Sequence, residues 1–361
     1  MSLMWLLIYY SIIVLLLLSY KMSTRQIPIE NSTHRLDVYE ICAVFAIISL
    51  SILCATRDIN SYDSKNYSEY FYRFKSINFF LIEGSYRIGF EYLSKTLAWL
   101  TNYNYKLIFG IIAFFNTLVV YYVTNKNKNL KIYGFITYLS FLGIYYNCIV
   151  LRQGLAISFI ILAYSNFKNS RIKFIIYTIL AVLFHESAII VLIIFLIINK
   201  DIRINKKACY ILLTIFIFLY VSKITNLLIE PVFTAINNIL PQDIFYKYII
   251  YVKDINLIEE VSIFYLCCFV LTLWLVYKST LKSSTYNALL VFNIIGLGFL
   301  SLFSGTSTII RITDYLTATT YIFLVPEAFA NEEYKDVFIG VIFSGLTFFY
   351  VRMVLNLVTF Y

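Results

Sequence analysis

Charge is scarce in this chain of 361 residues: 14% are Asp, Glu, Lys or Arg, while 61% are hydrophobic. Soluble domains carry about a quarter charged residues, so a water-soluble fold of this length is excluded. Histidine is scarcer still, with only His34 and His185, which rules out a multi-histidine zinc centre. The 4 prolines and 11 glycines mark no linker between domains, and no internal repeat is evident. The cysteines at 42, 54, 148, 209, 267 and 268 lie mostly inside apolar runs, without metal-site spacing. They are expected to be small apolar fillers.

What the chain has instead is one apolar run after another, many of them about 20 residues long, the length that crosses a hydrocarbon core of roughly 30 Å. The expected architecture is all-α: a polytopic transmembrane bundle of about twelve helices, between ten and fourteen, forming a single integral membrane domain over residues 1–361. Spans are predicted near 3–20, 38–55, 106–124, 132–145, 148–166, 172–184, 186–199, 208–222, 261–277, 285–303, 312–326 and 337–355. The first run has no basic residue before it and no small-residue cleavage site after it, so it is expected to remain as a helix. The segment Ile77 to Leu100 is amphipathic and either lies on the surface or dips in and returns.

Short loops rich in Lys and Arg stay in the cytoplasm. Lys21, Arg25 and Arg35 form one such group, Lys126, Lys128 and Lys131 a second, and Lys168, Arg171 and Lys173 a third. Lys200, Arg203, Lys206 and Lys207, then Lys278 and Lys282, complete the set. With the spans above, all fall on one side, and the loop bearing Glu327, Glu332 and Glu333 departs from the pattern. The net charge of +9 is therefore mainly membrane anchoring, and no nucleic-acid partner is expected. The other side holds the long segments at about 56–105 and 223–260, and three tight regions with Arg152, His185 and Arg311.

Arg152 stands beside Gln153 in CIVLRQGLAIS. With a turn at Tyr145 to Asn147 it lies about five residues inside the next helix, roughly 7 Å deep at about 1.5 Å per residue. An arginine there costs a few kcal/mol unless it reaches the interface, a carboxylate or a wet cavity. Snorkelling to the headgroups is the plain reading; the adjacent glutamine favours a polar cavity. His185 and Glu186 sit in LFHESA between two short apolar legs, too short to span. His185 is either helical glue bonded to a backbone carbonyl or a base or donor in an outward-facing cavity. Arg311 in TIIRITDYL has Asp314 one helical turn away, so an internal ion pair is its plain alternative. TRDINSYDSKNY adds Arg57, Asp58, Tyr62, Asp63 and Tyr67.

In order and spacing these residues resemble the EpsG family of bacterial polysaccharide proteins, similar to Wzy-type O-antigen and capsule polymerases. The matching stretches are Tyr62-Asp63 to Tyr67, Arg152-Gln153-Gly154-Leu155-Ala156, Phe184-His185-Glu186-Ser187-Ala188, and Arg311 with Tyr315. Together they span about residues 40 to 325. Members often carry a glutamate shortly before a glycine-aromatic pair, whereas this chain has Arg87 before Gly89-Phe90, with Glu83 and Glu91 nearby. That leaves the carboxylate of the region unassigned, and the segment 223–260 matches no motif.

The resemblance implies a GT-C-like bundle and a polymerase that joins oligosaccharide repeat units on the outer face of the cytoplasmic membrane. Donor and acceptor are then both linked to undecaprenyl pyrophosphate, and a chain-length regulator is a possible partner. Arginine suits the pyrophosphate leaving group because it forks two hydrogen bonds onto phosphate and stays charged. Arg152 and Arg311 are the candidates, supplemented by Arg57 or Arg87. His185 is the favoured base, with Asp63 and Glu186 as alternatives; Gln153, Tyr62, Tyr67 and Tyr315 are candidate substrate contacts. No metal or other cofactor is expected. Rival readings are a flippase of the same lipid-linked sugar, an O-antigen ligase and a membrane acyltransferase.

Overall fold

The computed structural model describes residues 3–23, 38–57, 62–76, 87–126, 131–198, 202, 204–225, 262–279, 283–303, 307–329, 340 and 347. They are helical, with no strand among the described residues. Most of the predicted span at 337–355 and most of the segment 223–260 lie outside the described residues, as do His34 and Glu83. The chain divides into two compact units, Met1–Ile189 with Phe329–Tyr361, and Ile190–Ala328.

In the first unit, α1 (Leu3–Ser23), α2 (Val38–Ala55) and α5 (Tyr105–Asn125) are long apolar rods. Two shorter helices, α3 (Tyr62–Arg73) and α4 (Ile88–Leu100), lie between α2 and α5 in sequence. After α6 (Lys131–Tyr138) the helix widens into two π-helical turns, Leu139–Gly143 and Tyr145–Ile149. Then come α7 (Leu151–Ser165) and α8 (Arg171–Phe184). Capping sets two of these starts: the Asn104 side chain accepts from the amides of Lys106 and Leu107 at the head of α5, and Ser170 accepts from Lys173 at the head of α8. Asn102 and Tyr103, both with positive φ (50° and 61°), turn the chain from α4 into α5.

Burial follows a lipid solvent rather than water. Along α2, Ala43, Ala46, Ile47 and Leu50 are buried, while Ile41, Val44, Phe45, Ile48 and Ile52 are exposed. α5 does the same, with Ile108, Phe109 and Ile112 inside and Leu107, Ile111, Phe114 and Leu118 outside. Exposed faces that are as apolar as the buried ones fit hydrocarbon. By length and composition, 38–55, 105–125 and 284–302 are each long and apolar enough to cross a membrane.

The second unit contains α9 (Ile189–Ile197) beyond its first residue, α10 (Lys206–Ser222), α11 (Ile263–Lys278), α12 (Ser284–Leu302), α13 (Ser307–Leu316) and α14 (Ala318–Phe329) up to its last residue. The single span expected at 312–326 is divided at Thr317 into the last two of these. Asn293 of α12 joins three helices: it accepts from Thr272 Oγ1 at 2.7 Å and donates to Thr320 Oγ1 at 3.0 Å and to the Thr317 carbonyl at 3.3 Å. Tyr321 adds a contact to Thr272 at 2.8 Å and donates to the Cys268 carbonyl at 2.9 Å. Buried side-chain hydrogen bonds of this kind hold helices together where apolar packing has no water to escape from.

Candidate active site

The helix α2, the helix α5, the α6–π-helical leg, α7 and α8 run alternately in direction, which sorts their ends. Lys126 follows α5 and Lys131 opens α6, while Lys168 and Arg171 lie between α7 and α8. The opposite end gathers the last turn of α2, the first of α5, the end of the π-helical leg, the first turn of α7 and the last of α8. Five contacts define it: Arg57 on Phe109, Cys54 to Cys148, Tyr146 against Gly154, Phe159 on Phe184, and Gly89 against Leu183.

Arg152 stands in the first turn of α7 and is half-buried, with Gln153 buried beside it. The chain reverses at Val150 (φ −105°, ψ 69°), not at Tyr145 to Asn147. Arg152 therefore sits at the lip of the helix, and the depth of about five residues expected from the sequence is corrected to the second helical position. The cause is the wide π-helical leg, which carries the chain on through Ile149 before it turns. Asn147 supports that leg by donating to the Gly143 carbonyl at 2.7 Å and to Tyr138 Oη at 2.9 Å. π-helical turns often accompany functional sites.

Gly154 makes the reversal tight. A Cβ there would collide with the Tyr146 carbonyl oxygen, and Asn116 Nδ2 would be 3.0 Å away. Ser158, one turn on, donates to Asn116 Oδ1 at 3.0 Å and so ties α7 to α5. Because the obstacle is backbone, Gly154→Ala is expected to destabilise the protein by about 1–3 kcal/mol. The check is the thermal unfolding midpoint in detergent, which should fall well below that of the wild type.

His185 ends α8 in extended conformation (φ −149°, ψ 115°), and the short 3₁₀ turn Glu186–Ala188 follows. Its Nδ1 is 2.7 Å from Ser187 Oγ. This contact explains the H-x-S spacing: the hydroxyl two residues on orients the ring, and the proton on one ring nitrogen decides what the other can do. Phe184 stacks on Phe159 of α7, with centroids 5.3 Å apart and planes within 13°. Gly89 lets α4 approach α8, since a Cβ would lie 2.8 Å from the Leu183 carbonyl oxygen. That approach brings Arg87 into an ion pair with Glu186, both side chains more than half exposed. Arg57 lies over the Phe109 ring, its guanidinium carbon 3.7 Å from the centroid.

Tyr67 packs into an aromatic core, 5.8 Å from Phe90 and 6.3 Å from Phe71, beside Phe109, Leu151 and Leu155. The side chains of Tyr62 and Asp63 lie outside the described residues, although both belong to α3. In the second unit, Arg311 is half-buried on α13, Asp314 is buried one turn away, and Tyr315 is fully buried. Thus Arg57, Arg87, Arg152, His185, Glu186, Gln153 and Tyr67 share one end of the first unit, whereas Arg311 and Tyr315 belong to the second.

Two features escape the sequence reading. Glu91, buried on α4, pairs at 3.0 Å with the equally buried Lys95, so the inner carboxylate of this region is neutralised within its own helix. The i,i+4 spacing is its sequence signal. Cys54 and Cys148 form a disulfide, with Cα atoms 4.9 Å apart, which corrects the expectation that all cysteines are fillers; Cys42, Cys209, Cys267 and Cys268 are unbonded. Their signal is that one closes α2 while the other precedes α7, at the same end of the unit.

The EpsG family matches residues 40–361. The chain belongs to the EpsG family. This places it among membrane proteins of polysaccharide biosynthesis, and the RQG and FHESA stretches lie within the EpsG match. No curated protein and no solved structure matches the chain.

Proposed function

We propose that this EpsG-family protein is a Wzy-type polymerase that joins undecaprenyl-pyrophosphate-linked oligosaccharide repeat units on the outer face of the bacterial cytoplasmic membrane. The observation that carries this reading is that Arg152, at the head of α7, and His185, at the end of α8, lie on two packed helices, each at the end remote from the Lys168–Arg171 loop that joins them. Basic loops are retained in the cytoplasm, so this end faces outward, where lipid-linked repeat units are joined. The full bundle, on this reading, has about twelve helices in a GT-C-like arrangement.

The chemistry is a glycosyl transfer. An acceptor-sugar hydroxyl attacks the donor's anomeric carbon, a new glycosidic C–O bond forms, and the anomeric C–O bond to pyrophosphate breaks. The electron pair leaves on undecaprenyl pyrophosphate, and the hydroxyl proton passes to a base. If Nδ1–H of His185 donates to Ser187, Nε2 presents the lone pair that takes this proton. Asp63 and Glu186 are alternative bases. Arg152 forks onto the pyrophosphate as its charge grows, with Arg57 as a further cation and Arg87 held by Glu186. We assign charge neutralisation to these guanidiniums, without a divalent metal. Gln153, Tyr62 and Tyr67 support the substrate, and a chain-length regulator is a natural partner of such an enzyme.

Product analysis of a deletion strain tests the reading. Loss of long chains with single repeat units retained is the expected result. Complete loss of surface polysaccharide indicates a ligase or flippase, and loss of acetyl groups alone an acyltransferase; either would overturn it.

A further inference from the structure

We propose that the Cys54–Cys148 disulfide is a positioning strap that holds Arg57 and Arg152 at the reacting end of the first unit. The inference deepens the polymerase reading and rests on it for its activity readout alone. Both cysteines stand in the last turn before a break in the helix. Cys54 lies in the final turn of α2, after which the chain leaves the helix at Arg57. Cys148 lies in the π-helical turn Tyr145–Ile149, after which Val150 breaks the helix and Arg152 enters α7. Each guanidinium is thus three or four residues beyond a half-cystine.

Helix ends open first, and forked binding of pyrophosphate tolerates only about 0.5 Å and 10–20° of error. Arg57 is held further by Phe109, at 3.7 Å. The covalent bond joins two chain ends separated by 94 residues of sequence, so neither can fray without the other. Both sulfurs are shielded, with Cys54 fully buried and Cys148 at 5% exposure, which suits a permanent link. It forms when the two thiols give up two protons and two electrons to a disulfide-bearing oxidant, which is reduced to two thiols; such oxidants act outside the cytoplasm. The bond therefore also requires this end to face outward.

Thiol counting is the first test. Protein denatured with a maleimide before any reduction should carry four adducts, on Cys42, Cys209, Cys267 and Cys268, and after reduction six. Six before reduction overturns the strap. The second test reduces folded protein in detergent with a phosphine. Amide exchange across 51–57 and 145–157 should rise, and the polymerisation rate per folded molecule should fall at least tenfold and return on reoxidation. The double variant Cys54→Ala/Cys148→Ala should behave as the reduced protein does. A bond that served stability alone would lower the unfolding midpoint without changing the rate per folded molecule. An unchanged rate, or unchanged exchange across 145–157, overturns the proposal. Oxidised wild-type protein that makes no polymer counts against the polymerase reading, while the exchange result still decides the strap.

Discussion

Membranes carrying Arg152→Ala are expected to contain single lipid-linked repeat units and no polymer ladder, with the protein present at its normal level. Removing one preorganised donor to a developing charge costs about 10²–10³ in rate, which over many rounds of elongation eliminates long chains. Arg152→Lys should also fail, since an ammonium keeps the charge but loses the planar fork. The position of the residue makes this a clean test of function. Arg152 stands half-buried at the lip of α7, outside the packed core, whereas its neighbour Gln153 is buried, so truncating the arginine should leave folding largely intact. Gel analysis of lipid-linked products decides it: wild-type chain lengths in Arg152→Ala would remove the guanidinium from the mechanism.

His185→Ala is expected to lower the rate by about 10²–10⁴, the usual contribution of a positioned base. Ser187→Ala should have a smaller effect, because it removes only the hydroxyl 2.7 Å from Nδ1 that orients the ring. The measurement is initial rate against pH with purified lipid-linked repeat units. Loss of the acidic limb in His185→Ala assigns the base, since an imidazole must be neutral to accept a proton. Retention of that limb transfers the role to Asp63 or Glu186.

Helix positions were legible wherever a continuous apolar run met a polar boundary, as in α2, where Val38 to Ala55 appears in both readings, and in α5, α8 and α12, where the ends agree within a residue. The motif residues stand out in the sequence as well, since a polar group within an apolar run has few inexpensive explanations. What stayed hidden depends on local geometry that pattern does not encode. The reversal before Arg152 comes later than the polar stretch at Tyr145 to Asn147 suggests, because a π-helical turn has nearly the same apolar pattern as an α-helical one. The disulfide stayed hidden because a buried cysteine in an apolar run looks the same whether or not it is bonded; only the shared end of α2 and the π-helical leg distinguishes it. The spans and basic loops already put these motif residues on one side, but the particular contacts there, such as Gly89 against Leu183, are supplied by no spacing rule.

The ion pair between Arg87 and Glu186 has a consequence for evolution. Relatives that carry a glutamate ahead of the glycine-aromatic pair would set two negative charges face to face if they kept Glu186, an arrangement that repels. Both side chains are more than half exposed, so the repulsion is modest, and a joint reversal of the two signs would relieve it.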